Sequence, residues 1–327
     1  MEGANLQTDA SVSSNEEKKE LEKSSETIKE KKISKIEWSK WYDKYYKVML
    51  FIPLIVLLIS LVYLGIFYTK NNDFVYKDVS LTGGTTITIN SENLSIKEVE
   101  MQLSKKIPDM VVRSLSDISA GRQLAIIIES SANISDVKTE VEKFLGYELT
   151  EENSSIEFTG SAISSSFYKQ LLIALFLSFV LMSVVVFIAF RNIVPCFAVI
   201  FAAFSDIVMP LALMNLLEIK LSSAGIAAFL MLIGYSVDTD ILLTSRVLRR
   251  SEPELNKRIY SAFKTGITMT LTSLAAVAIP LIFLKSIPYT LKQIFLILSI
   301  GLSVDIFNTW LTNTSILKLY CEKRGIK

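Results

Sequence analysis

The sequence predicts a polytopic α-helical membrane protein that carries one α+β domain outside the membrane. Half of its 327 residues are hydrophobic, and the mean hydropathy is +0.41. The apolar residues are concentrated in six runs, each about 20–25 residues long, which is enough to cross a hydrocarbon core of ~30 Å. A long polar segment between the first two runs contains strand and helix patterns in the order β-α-β-β-α-β, which is the ferredoxin-like arrangement.

The six apolar runs lie at residues 48–68, 170–190, 193–216, 223–245, 266–284 and 291–316. The first run begins far from the start of the chain and no small-residue cleavage site follows it, so we interpret it as a membrane anchor. Residues 1–37 are rich in Ser, Glu and Lys, a composition typical of a disordered tail. Residues 38–47 (WSKWYDKYYK) combine aromatic rings with lysines and are predicted to lie along the membrane surface.

The distribution of Lys and Arg predicts that both termini are cytoplasmic. Seven lysines lie in residues 28–47, six basic residues lie in the connection 246–265, and four more follow the last run. The short connections on the opposite side, 217–222 and 285–290, have only Lys220 and Lys285. Basic residues are retained on the cytoplasmic side, so the polar segment is predicted to lie outside a cell membrane. The predicted parts are a first transmembrane helix at 48–68, an outer domain at 69–168, a five-helix transmembrane bundle at 169–317 and a cytoplasmic tail at 318–327.

The outer segment is predicted to form two helices and four strands. Ser95 and Glu98 have the spacing of a capping box at the start of the first helix. Ser135 is predicted to open the second helix, and Gly146 to end it. The four strands are predicted at residues 85–89, 110–115, 123–128 and 155–158.

Four aspartates within the apolar runs are the candidate ion-coupling residues: Asp206, Asp238, Asp240 and Asp305. A carboxylate at the centre of a bilayer costs about 2.5–3.5 kcal/mol, so a chain that keeps several is expected to bind, relay or pair something there. Asp238 and Asp240 point about 200° from each other on a helix, so both cannot face one partner. The chain has no His, so a proton relay would run on carboxylates, hydroxyls and water.

Polar and basic side chains near these aspartates are candidates for supporting roles. The uncharged candidates are Thr239, Ser205, Ser236 and Asn308, and the basic candidates are Arg246 and Lys264. Thr239 is also a candidate for ion coupling. A purely structural interpretation stays open for the aspartates, since protonated carboxyls can form hydrogen bonds between helices. It also stays open for the two basic residues, because a long side chain at the membrane boundary extends its charge into water without any function.

Several other functions are disfavoured. A net charge of +1 gives no indication of nucleic-acid binding. No phosphate-binding GxxxxGK[ST] motif occurs, and we predict no metal site, cofactor or enzymatic activity. Neither Cys196 nor Cys321 lies in the outer segment, so no disulfide framework is predicted there. An intramembrane aspartyl protease is disfavoured because GLSVD (301–305) reproduces only part of the motif pair of those enzymes.

Three segments resemble SecF, a family of protein-export membrane subunits, in its archaeal form. GYSVDTDILLTSRVLRR (234–250) is similar to the fourth-span motif of the family, DVSLTGGTTITI (78–89) to the sequence after the first span of SecF and SecD, and KTGITMTLTS (264–273) to the start of the fifth span. The resemblance implies one half of an RND-type (resistance-nodulation-division) membrane protein. Gly83 and Gly84 match the Gly-Gly pair of the family and are expected to mark a turn or bulge before the first strand.

The resemblance also implies partners and a mechanism. Members act with SecD at the SecY translocon on translocating polypeptides, and bacterial members use a gradient of protons or, in some species, sodium. The bacterial fourth-span motif GYSVNDTVVVFDRI aligns its Asn with Asp238, its key aspartate with Thr239 and the following Thr with Asp240. Asp206 matches the third-span aspartate, and Lys264 stands where bacterial members have Arg.

Within the fourth span we favour Asp240 as the ion carrier. It is one position from the bacterial aspartate and lies deeper among aliphatic side chains than Asp238. Three alternatives to an ion-driven export subunit stay open: a non-conducting scaffold of the translocon, a substrate-binding factor, and a stand-alone RND-type transporter half.

Overall fold

The structure, a computed structural model, describes residues 43–91, 94–116, 122–248, 254–283 and 289–325. The tail predicted at residues 1–37 lies outside the described residues. In chain order the elements are α1 (Asp43–Asn71), α2 (Val79–Thr82), β1 (Gly84–Asn90), α3 (Ile96–Leu103), β2 (Val111–Ser116), β3 (Gln123–Ser130), α4 (Ile134–Leu145), β4 (Ser154–Thr159), α5 (Ser161–Phe190), α6 (Ile193–Leu216), α7 (Ser223–Leu248), α8 (Leu255–Phe283), α9 (Tyr289–Phe307), a π-helical turn (Asn308–Asn313) and α10 (Thr314–Lys323).

Six helices of the described residues are long and apolar enough to cross a membrane, which confirms the six predicted spans. They are α1, α5, α6, α7, α8 and a continuous sixth helix built from α9, the π-helical turn and α10. Several of them extend beyond the apolar runs. The first starts at Asp43, and the sixth ends at Lys323. A helix keeps its backbone hydrogen bonds into the polar residues at its ends, whereas hydropathy marks only the apolar part.

The α6 and α7 helices lie at the centre of the membrane bundle, and α5 and α8 lie at its periphery. In the most apolar part of each helix, 61% of α6 and 56% of α7 is buried, against 6% of α5 and 11% of α8. Phe229 and Leu232 of α7 pack with Leu298 and Leu302 of α9 in the largest apolar cluster of the bundle. The central helices are therefore the ones that can enclose polar side chains away from lipid.

The α+β domain has a four-stranded antiparallel sheet in the order β2-β3-β1-β4, which confirms the predicted ferredoxin-like arrangement. Ile87 of β1 lies opposite Ile128 of β3 and Ile156 of β4, so one face of the sheet is apolar. Helices α3 and α4 supply the other side of this core, whose fully buried members include Ile87, Ile89, Val99, Leu103, Ile126, Ile128, Val137 and Val141.

Two details of the predicted helix ends differ in the structure. Ser95 precedes α3 as its N-cap, but its side chain makes no capping hydrogen bond. The α4 helix begins at Ile134 with Asn133 as its N-cap, so the prediction that Ser135 opens this helix was wrong. Asn133 has extended backbone angles, and the helical conformation starts directly after it. Gly146 ends α4 in the left-handed conformation (φ 76°), as predicted.

Gly83 and Gly84 join α2 to the first strand at a point where three backbone segments meet. Gly83 has φ 80° and Gly84 has φ 145°, values that residues with a Cβ rarely adopt. A Cβ on Gly84 would lie 2.1 Å from Ser130 O, and one on Gly83 would lie 2.7 Å from Ser161 Cα. The pair therefore lets β1 start directly against the end of β3 and the start of α5.

An ionic cluster ties the sheet to the membrane helices. Arg113 of β2 donates from Nη1 to Glu129 Oε1 at 2.8 Å and from Nη2 to Asp78 Oδ2. The backbone N–H of Asp78 donates in turn to Leu221 O at 2.9 Å, in the connection between α6 and α7. Lys220 of the same connection donates to Asp109 O at 3.2 Å. The domain is thus fixed to the bundle by a backbone hydrogen bond and by the Lys220 ammonium group, in addition to the chain itself.

Within this cluster, burial raises the pKa of Glu129 from 4.5 to about 7. The nearby Asp78 carboxylate also raises it, while the Arg113 guanidinium and the Lys220 ammonium lower it. The folded protein then binds a proton that the unfolded chain has released. The contribution of Glu129 to the stability of the domain is therefore expected to be largest below pH 4.5 and to fall as the pH rises to 7.

We predict that Glu129→Gln removes most of this pH dependence. The expected loss in the natural chain between pH 4.5 and 7 is about 2–3 kcal/mol, allowing for partial solvent access. The measurement is amide hydrogen exchange of β1 and β3 in membranes, corrected for intrinsic rates, at several pH values. Glu157→Gln, at an exposed position of β4, is the control and should keep the pH dependence. An unchanged profile in Glu129→Gln would contradict the prediction.

Candidate ion-coupling site

Three of the four candidate aspartates meet in the centre of the membrane bundle. Asp206 of α6, Asp240 of α7 and Asp305 of α9 are each at most 1% exposed. The Thr309 Oγ1 atom lies 3.0 Å from Asp240 Oδ1 and 3.2 Å from Asp305 Oδ1, so one hydroxyl joins two carboxylates. Asn308, the residue before Thr309, contacts the third carboxylate, Asp206. The three side chains therefore form one site, which we call the carboxylate cluster.

The remaining contacts of the carboxylate cluster come from uncharged side chains. Ser236 Oγ donates to Asp206 Oδ2 at 2.5 Å, and Asn308 Nδ2 donates to Asp206 Oδ1 at 2.7 Å. Asn313 Nδ2 donates to Asp240 Oδ1 at 2.7 Å. Among the described residues, these donors and Thr309 are uncharged, so they orient the carboxylates without neutralising them.

Several oxygen atoms of the site lack a hydrogen-bond partner. They are Asp240 Oδ2, Asp305 Oδ2, Asn308 Oδ1 and Asn313 Oδ1, all on fully buried residues. A buried carboxylate oxygen without a partner is costly, and binding a cation or a proton would relieve that cost. Within the described ranges, no three His, Cys, Asp or Glu side chains are placed to hold a metal ion. The chemistry that this arrangement supports is reversible binding of a small cation or proton.

Asp238 lies outside the carboxylate cluster. It is exposed on the surface of α7, whereas Asp240, two residues later, is fully buried. This matches the expectation that the two carboxylates cannot face one partner, because two residues correspond to about 200° around a helix. The two aspartates of the fourth span are therefore placed for different tasks.

The other predicted residues likewise divide into those that contact the carboxylate cluster and those that do not. Ser236 and Asn308 contact the carboxylate cluster directly, as described above. The Ser205 hydroxyl instead donates to Phe201 O of its own helix at 2.9 Å. Arg246 donates to Ser261 O and Thr265 Oγ1, both at 2.8 Å, and so joins α7 to α8 away from the cluster. Lys264 is exposed on α8.

Comparisons with known proteins agree with this architecture. The chain matches the family described as protein export membrane protein SecD/SecF, C-terminal, over residues 139–323. It is 39% identical to the protein-export membrane protein SecF of Methanocaldococcus jannaschii, over 87% of this chain and 99% of that protein. The chain belongs to the SecF family. It is also 36% identical to the SecF of Pyrococcus furiosus, over 85% of this chain and 92% of that one.

The fold is also shared with larger proteins of known structure. The crystal structure of SecDF from Thermus thermophilus, a translocon-associated membrane protein, superposes with a TM-score of 0.64 at 21% identity, over 86% of this chain and 38% of that one. SecDF in a super-membrane-facing form gives a TM-score of 0.54 at 19% identity, over 86% and 39%. The chain therefore spans well under half of the length of SecDF. Its membership of the SecF family makes it a membrane subunit for protein export.

Thr239, which the resemblance aligns with the bacterial aspartate, does not contact the carboxylate cluster. Its hydroxyl lies 3.5 Å from Tyr235 O of its own helix. Its methyl group faces α8, where a Cβ on Gly266 would lie 3.3 Å from Thr239 Cγ2. Asp240 is one residue later, about 100° further around the helix, and faces the sixth span. In this member of the SecF family the buried carboxylate of α7 is thus directed to a different neighbour.

Two residues of the site were missed by the sequence analysis, Thr309 and Asn313. Both lie in a polar stretch, NTWLTNTS (308–315), inside the sixth apolar span. That stretch is a signal in the sequence, because uncharged polar side chains inside a span are used for contacts between helices. Asn308 and Asn313 are five residues apart, and on an α-helix two such residues point in different directions. Their spacing therefore does not show that both donate to the carboxylate cluster.

We predict that Asn313→Leu destabilises the folded chain by about 1–2 kcal/mol, because Asp240 loses a buried donor. Asp240→Leu combined with Asn313→Leu should cost less than the sum of the two single changes. The measurement is unfolding in mild-detergent micelles, with Ser303→Ala as the control. Ser303 is exposed and donates only to Ser299 O of its own helix. Additive costs, or an Asn313→Leu chain as stable as the control, would contradict the prediction.

Proposed function

We propose that this chain is an accessory subunit of the Sec protein-export machinery that acts with SecD at the SecY translocon. In this proposal its α+β domain lies outside the cytoplasmic membrane, both termini are cytoplasmic, and the domain acts on translocating polypeptides. An ion gradient across the lipid bilayer drives the cycle through the carboxylate cluster. Membership of the SecF family supports the export role, and the Lys and Arg distribution supports the orientation.

The observation that carries ion coupling is the set of three buried aspartates whose described hydrogen-bond donors are uncharged. Each ionised carboxylate at this depth costs about 2.5–3.5 kcal/mol, so the empty and occupied states of the site differ strongly in energy. Binding an ion at Asp240 or Asp305 would remove one charge and supply a partner to an unpaired oxygen. Each passage of an ion would therefore change the contacts among α6, α7 and the sixth span.

Single Asp→Asn changes at the three cluster positions test this proposal. We expect Asp240→Asn to abolish the stimulation of export by an ion gradient while export without a gradient continues. The measurement is translocation of a secreted protein into membrane vesicles, with and without an imposed gradient. Asp136→Asn, at an exposed position of α4, is the control and should retain the stimulation.

Gradient-dependent export that is unchanged in Asp206→Asn, Asp240→Asn and Asp305→Asn would refute ion coupling. That outcome would favour the non-conducting scaffold, which needs the fold and its surfaces but no charge at these positions. A stand-alone transporter half would instead move ions without any effect on export.

Two exposed charged side chains on the membrane bundle support the proposal of a membrane partner. On α7 the exposed residues follow one helical stripe, Ala227, Met231, Gly234, Tyr235 and Asp238. The neighbouring α8 exposes Lys264. Asp238 lies ten residues before the end of α7, and Lys264 lies nine residues after the start of α8, so both charges are at a similar depth. Charged residues facing lipid are costly, so we infer that a helix of SecD covers this surface.

We predict that Asp238→Leu weakens the association with SecD by about tenfold, whereas Asp240→Asn leaves it unchanged. The measurement is co-purification of the two chains from membranes at several detergent concentrations, with the amount of folded subunit checked separately. Equal recovery of SecD with Asp238→Leu and with the natural chain would contradict the assignment of this surface to SecD.

A further inference from the structure

The sixth span contains a π-helical turn, Asn308–Asn313, and this turn carries the described contacts of that span to the carboxylates of α6 and α7. Both the backbone N–H and the hydroxyl of Thr314 donate to Thr309 O, five residues earlier, the spacing of a π-helix. All but one of the six residues of the turn are buried. Turns of this kind inside an α-helix are rare and occur frequently at functional sites.

The π-helical turn is what brings Asn308 and Asn313 to the same face. On an α-helix, residues five apart are separated by about 1.4 turns, which would direct these two side chains about 140° from each other. In a π-helix the hydrogen bond joins residues five apart, so these residues lie nearly one turn apart and share a face. Conversion of this turn to an α-helix would therefore remove Asn308 or Asn313 from its carboxylate.

The polar groups of the turn are only partly satisfied. Asn308 Oδ1, Thr312 Oγ1 and Asn313 Oδ1 have no hydrogen-bond partner, although their residues are buried. The contacts with Asp206 and Asp240 therefore add to the backbone hydrogen bonds that define the π-helical form. A change in the charge of a carboxylate acts directly on the contacts that maintain the turn.

The turn is also connected to the end of the bundle that lies away from the α+β domain. Trp310 packs edge-on against Phe263 of α8 at 5.0 Å between ring centroids, and its ring fills the space that a Cβ on Gly266 would need. Beyond the turn, Lys318 of α10 donates to Asn256 Oδ1 at 3.1 Å, near the start of α8. Tyr320 Oη donates to Asn192 Oδ1 at 3.4 Å, just before α6. A rotation of α10 would thus alter both connections.

We propose that the π-helical turn is a two-state element that transmits occupancy of the carboxylate cluster to α10. Neutralising Asp240 weakens its hydrogen bonds with Asn313 and Thr309, because bonds to a charged acceptor are stronger. The turn then converts toward an α-helix, and α10 rotates on α6 and α8. This inference rests on the proposed ion coupling, because it assigns the structural response to the same site. A discrete two-state element is what coupling between separated parts of a protein requires.

The two natural cysteines allow a test with the full chain in membranes. Cys321 of α10 is fully buried and Cys196 of α6 is 3% exposed, and the chain has no other cysteine. With Cys196→Ser in place, the rate at which N-ethylmaleimide alkylates Cys321 reports movement of α10. We expect Asp240→Asn, which neutralises the side chain and keeps an acceptor oxygen, to raise this rate about tenfold, as expected when a minor state becomes a major one.

Deletion of Leu311 separates the π-helical turn from the carboxylate contacts. Without Leu311, Asn308 and Asn313 are four residues apart and share a face of an ordinary α-helix, so both asparagines can still reach the carboxylates. We expect the alkylation rate of this shortened chain to be unaffected by Asp240→Asn. Leu311→Ala keeps the length of the turn and is the matched control, in which the response to Asp240→Asn should remain.

The outcomes distinguish this inference from the proposed function. The inference is overturned if Asp240→Asn changes the alkylation rate of Cys321 equally in the shortened and natural-length chains. It is also overturned if Asp240→Asn does not change this rate in the natural-length chain. If the shortened chain does not fold, amide hydrogen exchange of the natural-length chain is measured in place of the alkylation of the shortened chain. Asp240→Asn should then change exchange at residues 309–316 but not at 294–303, and equal behaviour of the two segments would overturn the inference. Loss of gradient-driven export in Asp240→Asn tests the proposed function independently.

Discussion

The inability of the hydrocarbon interior to solvate charge is the constraint on which the membrane part of this protein depends. Apolar contacts alone do not fix the arrangement of its helices, because lipid tails are as apolar as the leucines of the spans. The carboxylates of Asp206 and Asp240 accept hydrogen bonds from side chains of neighbouring helices, and Asp305 is contacted by Thr309 of its own span. Their contacts therefore hold α6, α7 and the sixth span in one register, and the less buried α5 and α8 surround this centre.

Most of the fold is predictable from the sequence because the patterns that indicate its elements are local. A span of about 20 apolar residues is recognisable by itself, and alternating strands between amphipathic helices indicate the sheet. The helix ends were less accurate, since Asn133 and not Ser135 precedes α4. Several polar residues can begin a helix, and the sequence does not reveal which of them has extended backbone angles.

The candidate site was predicted only in part, for a physical reason that particular residues illustrate. The cost of a buried charge identified all four aspartates, but only rotation and packing separate the buried Asp240 from the exposed Asp238. Asn313 escaped because it shares the role of Asn308 only through the π-helical turn, and helical spacing presumes an α-helix. Arg246 was considered as a basic partner of the site, yet it contacts Ser261 and Thr265 and joins two helices elsewhere.

The register of the fourth-span carboxylate and the π-helical turn of the sixth span are best understood as one feature. A carboxylate at the position of Thr239 would face α8 at Gly266, where Trp310 already fills the available space. One residue later, Asp240 faces the sixth span, where it accepts from Thr309 and Asn313. Asn308 donates to Asp206 instead, and an α-helix would direct Asn308 and Asn313 about 140° from each other. The π-helical turn supplies these donors to Asp206 and Asp240 together. A change in either feature without the other would leave a buried carboxylate with fewer partners, so the two constrain each other.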